Sequence, residues 1–223
     1  MLARRGFLAG AVLATFTLRP ALAGALPADM KGQERLDGWI RIDAPGRVTV
    51  FTGKAELGQG IYTALSQIAA DCMGVAFERI HLVGADTAQT PNEGMTAGSM
   101  SVEYGGEALR TAAAEARAAL LAAAAAAGGV PQERLVVEDG TIHDPQTGWS
   151  TTYWDVAGGG GADGLLHRDA TGDVPTLKPD AYRAIGQSVP RIDIPPKVRG
   201  GEAYVQDMRL PGTVHGRVVR PPS

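Results

Sequence analysis

One cysteine, Cys72, stands among 223 residues, and this scarcity excludes an intrachain disulfide, a cysteine-rich zinc site and an iron–sulfur cluster built by this chain alone. Any metal must arrive inside a cofactor or be held by other ligands. No block of like charges is long enough to act as a basic arm, and the net charge is only −3. Without clustered Lys and Arg there is nothing to grip a phosphate backbone, which argues against nucleic acid as a partner. His81, His143, His167 and His215 show no ligand spacing among themselves and read as surface or edge residues. Aromatic residues are few, at 5%, whereas glycine (30 residues) and alanine abound, a composition suited to close backbone packing and helices rather than to a bulky core.

What is present begins with an address. Ala3-Arg4-Arg5-Gly6-Phe7-Leu8 sets an arginine pair before an apolar run, Leu8 to Leu18, that is too short to span a bilayer. Arg19-Pro20 ends the run, and Ala21-Leu22-Ala23 follows as a small-x-small cleavage site. Residues 1–23 therefore read as a twin-arginine signal peptide, with Arg4, Arg5 and Ala23 as its working residues and the mature chain starting near Gly24. The plainer alternative is a chance arginine pair in an ordinary signal peptide or anchor. The expected destination is the periplasm, by a route that exports folded proteins and so suits a cofactor inserted in the cytoplasm.

In the mature chain, Trp39-Ile40-Arg41-Ile42 and Val48-Thr49-Val50-Phe51 flank the turn Asp43-Ala44-Pro45-Gly46, which predicts a hairpin. Ile61, Leu65, Ile68, Ala69 and Cys72 recur at helical spacing, with Gly74 at the expected end. Ile80 to Val83 reads as a short strand and Thr87 to Ser101 as a loop. Glu103 to Ala127 reads as a long Ala-rich helix stopped by Gly128-Gly129 and Pro131. Leu135-Val136-Val137 and Thr141-Ile142 make a second hairpin about Glu138-Asp139-Gly140. Gly158 to Gly161 and the polar stretch to about Pro179 read as a linker. Beyond Ile185, strands are expected at Val189–Pro195, Ala203–Val205 and Val214–Val219. So few strands cannot bury a core, and the chain is expected to stop inside a domain.

Two loops could carry chemistry. Gly53-Lys54-Ala55-Glu56-Leu57-Gly58-Gln59-Gly60-Ile61-Tyr62-Thr63 lies between a strand and a helix. Its glycines would let a bulky ligand approach the main chain, the helix start would offer N–H groups to an anion, and the Gln59 amide suits a heterocycle edge. It lacks the Lys and Ser/Thr of a phosphate-binding P-loop, and Thr63 stands where a Rossmann fingerprint needs Gly or Ala. Thr63 weakens a dinucleotide-binding reading without removing it, and a Gly-rich turn with no ligand stays open. Pro91-Asn92-Glu93-Gly94-Met95-Thr96-Ala97-Gly98-Ser99-Met100-Ser101 enters the long helix in similar fashion. Ser101 could be no more than its N-cap.

These segments resemble a known family. Gly53 to Gly60 with Gln67-Ile68-Ala69-Ala70-Asp71 looks like the molybdopterin-binding segment of the xanthine dehydrogenase and aldehyde oxidase family, and Thr90 to Gly94 with Thr96 to Ser101 resembles a second cofactor-contacting segment. Gly186 to Asp193 and Tyr204 to Gly212 resemble the opening of the family's α/β hammerhead domain. A cofactor segment ahead of the hammerhead is the order of the branch holding isoquinoline 1-oxidoreductase beta subunits and nicotinate dehydrogenase large subunits.

The resemblance implies an α+β molybdopterin-binding domain segment at 24–157, a linker at 158–184 and an incomplete hammerhead domain at 185–223. It implies a molybdenum–molybdopterin cofactor, in some members the cytosine dinucleotide form. The implied reaction is hydroxylation of an aldehyde or N-heterocycle with oxygen from water. Electrons would leave through a separate iron–sulfur subunit toward a cytochrome c. Gly58, Gln59 and Gly60 would contact the pterin, and Gly98, Ser99, Met100 and Ser101 the pterin and its phosphate. No catalytic residue and no metal ligand is expected in this chain, since the family's catalytic glutamate follows the hammerhead. Glu56, Glu93 and Glu103 read as loop or helix-surface carboxylates, and Asp71-Cys72-Met73 departs from the family pattern harmlessly. The chain alone is expected to be inactive until joined by the remainder of the large subunit. The rival from another class is an exported remnant or binding module that holds no cofactor.

Overall fold

The computed structural model describes residues 25–43, 46–158, 162–201 and 204–222, with the side chains of Ala162 and Asp163 left aside. The expected signal residues Arg4, Arg5 and Ala23 lie outside the described residues. Strands β1 (Ile40–Asp43) and β2 (Arg47–Thr52) form the expected antiparallel hairpin, with Ile40 opposite Val50 and Ile42 opposite Val48. Helix α1 (Ile61–Met73) buries Ile61, Leu65, Ile68, Ala69 and Cys72, the face its spacing predicts, and Gly74 closes it at φ 69°. Strand β3 (Ile80–Gly84) then pairs with β2 in parallel, Val50 opposite Leu82. β2 is the central strand of the three, which is why Val48 to Thr52 are buried without alternation. Parallel pairing puts the carboxyl ends of β2 and β3 at one edge, and the chain leaves both strands there.

Helix α2 (Gly106–Gly128) follows a π-helical turn at Ser101–Gly105. Ser101 lies inside that turn and makes no capping bond, so it is not the N-cap its position suggested. Such turns are rare and tend to sit at functional sites. The buried alanines of α2, among them Ala108, Ala112, Ala113 and Ala116, are small enough to let α1 lie close against it. A second antiparallel sheet holds the other expected hairpin, β4 (Val136–Glu138) with β5 (Thr141–His143), and adds β6 (Ser150–Thr152). Helix α3 (Tyr153–Gly158) ties this sheet to α1: buried Tyr153 donates its hydroxyl to the Met73 carbonyl at 2.7 Å. A short α4 (Ala162–Leu165) follows. Mixed helices and sheets make the fold α+β, as expected, and among the described residues no helix is long and apolar enough to cross a membrane.

The polar stretch read as a linker is no free tether. Leu36 and Asp37 donate backbone N–H groups to the carbonyls of Arg168 and Leu166, and Ala170 donates to Glu34. Glu115, on α2 and 1% exposed, accepts the Thr171 and Gly172 amides at 2.7 and 2.6 Å. Asp71, on α1, accepts the amides of Arg183, Ala184 and Ile185 at 2.8–2.9 Å. Buried carboxylates need donors, and the passing backbone supplies them, so residues 166–185 become a strap across α2 and α1.

The strands expected beyond Ile185 do not form among the described residues. Helix α5 (Ile194–Val198) and a short 3-10 turn (Val205–Asp207) stand there instead, and Ala203 lies outside the described residues. A strand must pair its backbone with a neighbour. None lies alongside, and Val198, Val205, Val214, Val218 and Val219 are each at least 75% exposed.

Candidate functional site

The two loops that the sequence singles out leave the carboxyl ends of β2 and β3, the edge where open parallel sheets bind ligands. They are joined at several points. The Thr96 hydroxyl accepts the Ala55 amide at 2.8 Å. The Glu93 carboxylate accepts the Thr52 hydroxyl at 2.5 Å and the Gly53 amide at 2.6 Å. Gly53 lies so close to the other loop that a Cβ there would stand 2.2 Å from the Pro91 carbonyl oxygen.

Between the loops runs a groove of about 590 Å³, lined by Gln59, Gly60, Ile61 and Ala64 on one side and by Thr96, Ala97, Gly98, Ser99, Ser101 and Val102 on the other. Its walls are apolar with a few hydroxyls, and no titratable side chain lines it. Gly60 and Gly98 adopt φ 83° and 62°, and Ser99, next to Gly98, holds φ 63°. Left-handed backbone costs a non-glycine residue about 1–2 kcal/mol, so the Gly98-Ser99 turn is held by its surroundings. The Ser99 and Ser101 hydroxyls have no protein partner among the described residues.

Five of the seven expected cofactor residues, Gln59, Gly60, Gly98, Ser99 and Ser101, therefore line one groove. Gly58 and Met100 do not. Gly58 turns its amide to Glu56 and its carbonyl to Arg191, each at 2.8 Å, while the Met100 side chain packs beside Gly98. Gln59 folds back on its own loop: its Oε1 accepts the Leu57 amide at 2.5 Å and its Nε2 donates to the Ala55 carbonyl at 2.9 Å. One N–H and one lone pair of that amide are left for a ligand.

Two carboxylates depart from the surface role expected of them. Glu56 is 7% exposed in its side chain and accepts the amides of Gly58, Gly60 and Tyr62 at 2.8, 2.9 and 3.2 Å. Two N–H groups at the start of α1, those of Gly60 and Tyr62, are thus taken by the chain's own carboxylate. Glu93 is 5% exposed, and burial raises its pKa against the opposing pull of Thr52, Gly53 and Lys54. Behind it Lys54, 1% exposed, donates to the Glu93 carbonyl at 2.5 Å and pairs with Asp29 at 3.0 Å. Only Glu103 is exposed as expected. Cys72 is buried, and burial pushes its thiol up to about 11. Of the histidines, His167 has a partner in Asp37, at 2.9 Å; no group able to hold a metal is found among the described residues.

The residue that sequence reasoning missed is Glu56 as the organiser of the loop. Its signal was available, an acidic residue shortly before a glycine-flanked helix start. Lys54 carried no such signal, because nothing local marks a buried lysine.

The groove's two walls fall inside the stretch that decides the relationship. The molybdopterin cofactor-binding domain family matches residues 9–189. The chain belongs to this family. A nicotinate dehydrogenase subunit of Pseudomonas putida is 37% identical over 203 residues, covering 91% of this chain and 16% of that protein. The isoquinoline 1-oxidoreductase beta subunit of Brevundimonas diminuta is 27% identical, covering 97% and 33%. Among solved structures, quinoline 2-oxidoreductase from Pseudomonas putida 86 matches with a TM-score of 0.46 and 30% identity over 60% of this chain and 17% of that one. The chain thus spans a third or less of the relatives named.

The groove fits the family's cofactor in kind. Apolar walls suit a fused heterocycle, and the Ser99 and Ser101 hydroxyls, unpartnered among the described residues, suit its polar edge and phosphate.

Proposed function

We propose that residues 53–60 and 96–102 form one wall of a molybdopterin site in an exported molybdenum hydroxylase, an oxidoreductase acting on an aldehyde or N-heterocycle. The observation that carries this is the groove itself, where five residues from two loops chosen for cofactor contact line one cleft. The Gly60 and Gly98 backbone would lie against the pterin, the free part of the Gln59 amide would bond its edge, and the Ser99 and Ser101 hydroxyls would take its phosphate or a cytosine dinucleotide extension. When bound, the cofactor supplies the two-electron oxidation of substrate, with oxygen drawn from water. What this chain's residues do is bind, orient and exclude water. Among the described residues no acid or base lines the groove, so proton transfer is assigned to a residue outside this groove.

On the same grounds these residues by themselves are inactive, and activity needs the remainder of the large subunit. An iron–sulfur subunit carries electrons away, to a cytochrome c, since one cysteine cannot ligate a cluster. Residues 185–223 are read as the entry to a hammerhead domain, and their exposed valines support pairing with further strands. In the complete protein, Gly98→Val is expected to lower pterin content by about tenfold, because a β-branched residue is strained at φ 62° and would distort the Gly98-Ser99 turn that lines the groove. Gln59→Ala should lower it less. Pterin released per chain, measured by fluorescence, checks both, and full content in both variants sinks the assignment.

Export rests on Arg4 and Arg5. Replacing both with Lys keeps the charge but removes the guanidinium pair, so precursor should accumulate in the cytoplasm on cell fractionation. Undiminished delivery to the periplasm counts against a twin-arginine signal.

A further inference from the structure

Gly58 sits at φ 101°, a conformation that glycine tolerates but that nothing intrinsic to glycine selects. Side-chain contacts must therefore hold the loop. One of them is Glu56, within the loop. The other comes from the far side of the sequence, where the strap ends. Arg191 donates from Nη1 to the Gly58 carbonyl at 2.8 Å, and its Nη2 lies 3.5 Å from the Glu56 carboxylate. Both backbone polar groups of Gly58 are thus engaged, the amide by Glu56 and the carbonyl by Arg191.

The guanidinium is itself aimed. Asp193 receives Nε and Nη2 at 2.9 and 2.7 Å, a two-pronged pairing that fixes the plane of the fork, and Lys197 steadies Asp193 at 2.7 Å. The Arg191 bond holds the Asp193 carboxyl well below the usual carboxylate range. The backbone is pinned alongside, with the Ile192 amide donating to the Thr63 hydroxyl in the first turn of α1 at 3.1 Å. A Cβ on Gly60 would come within 3.6–3.7 Å of the Arg191 side chain, so Arg191 also lies over the third glycine of the loop. Arg191 is absent from the groove lining.

We infer that Arg191 is a positioning residue for the cofactor loop, holding Gly58-Gln59-Gly60 in shape from the side away from the groove through the Gly58 carbonyl and the Glu56 carboxylate. Cofactor retention then depends on the segment 189–197 being docked. The inference rests on the reading of the groove as a pterin site.

The test uses the full-length protein with Arg191→Ala, Arg191→Lys and Gly98→Val, the last because Gly98 lines the groove and a Cβ there would come near the Met100 side chain and not near Arg191. Arg191 is 34% exposed in its side chain, so the fold should survive its loss. Hydrogen exchange by mass spectrometry is read on peptides covering residues 55–64, with α2 peptides as the internal reference, and released pterin is read on the same samples. In Arg191→Ala the loop amides are expected to exchange about fivefold faster or more, with α2 unchanged, as befits a local opening held by a surface pair. Pterin content should fall as well. Arg191→Lys should recover part of both, because an ammonium can reach the Gly58 carbonyl but cannot keep the two-pronged pairing with Asp193. Loop exchange equal to the parent's, or faster exchange that spreads to α2, overturns the inference. So does faster loop exchange with pterin undiminished, and Gly98→Val then separates the causes. If Gly98→Val has lost pterin, the groove reading stands and only the role of Arg191 has failed. If it keeps full pterin, the groove reading has failed too.

Discussion

Gly53→Ala should unfold the protein about 6–12 °C earlier and empty the cofactor groove, taking overpacking to cost about 3 kcal/mol and each kcal/mol to move Tm by about 2–4 °C in a domain of this size. The added methyl would stand 2.2 Å from the Pro91 carbonyl oxygen and 2.9 Å from the Glu93 amide nitrogen. Both obstacles are backbone, so no side chain can swing aside. The second loop must move bodily, which pulls the Glu93 carboxylate from the Gly53 amide and Thr96 from Ala55. Gly38→Ala is the control, since a Cβ there meets nothing within 4 Å and its φ is ordinary. Thermal unfolding and released pterin are the measurements. An unchanged Tm in Gly53→Ala, or an equal loss in Gly38→Ala, would refute the claim that loop contact at Gly53 sets the groove.

Lys54→Ala should destabilise the protein by about 3–5 kcal/mol, the usual result of removing one partner from a buried charge cluster. Lys54 reaches Asp29 and the Glu93 carbonyl, and it also packs near Gly105, where an added Cβ would lie 3.0 Å from its Cε. The cluster therefore registers four parts of the chain: the N-terminal segment, both groove loops and the start of α2. Lys54→Met should cost less, because it keeps the aliphatic volume. A pH signature follows from Glu93, whose pKa is raised chiefly by burial and lowered in part by Lys54. A raised carboxyl holds its proton in the folded state after the unfolded chain has lost it, so its contribution is full below the ordinary glutamate value and is lost as pH rises through the raised one. Removing Lys54 raises Glu93 further, and the penalty of Lys54→Ala should grow from about pH 4 to about pH 8. Urea denaturation at the two pH values reads this directly. A penalty independent of pH would mean that Glu93 and Lys54 are not coupled.

The elements read from local pattern were those whose burial follows a single period. α1 buries the residues its spacing marks, both hairpins close where turn residues stand, and Gly74 ends its helix. What escaped depended on partners distant in sequence. Glu115 and Asp71 take their roles from the strap, which reaches them from 56–57 and 112–114 residues away. Lys54 and Glu93 read as loop charges, and their burial is set by contacts across 39–41 residues. The β-rich tail failed in the opposite sense: its composition favours strands, but propensity forms none without a partner edge.

Turn chemistry and periodicity are properties of neighbouring residues. For that reason the main helix and strand positions, and the glycines, amide and hydroxyls of two loops, could be read along the chain, while the α+β class came with the family resemblance those loops carry. That those loops form one groove could not. It follows from the parallel pairing of β2 with β3, Val48 opposite Ile80, a hydrogen-bonded register between segments that no local pattern links. Folding in three dimensions also settles which way the loop residues face. Glu56 claims the amides at the start of α1 and Arg191 claims the Gly58 carbonyl, since a buried carboxylate and a free peptide carbonyl take whichever donors the folded chain brings within reach.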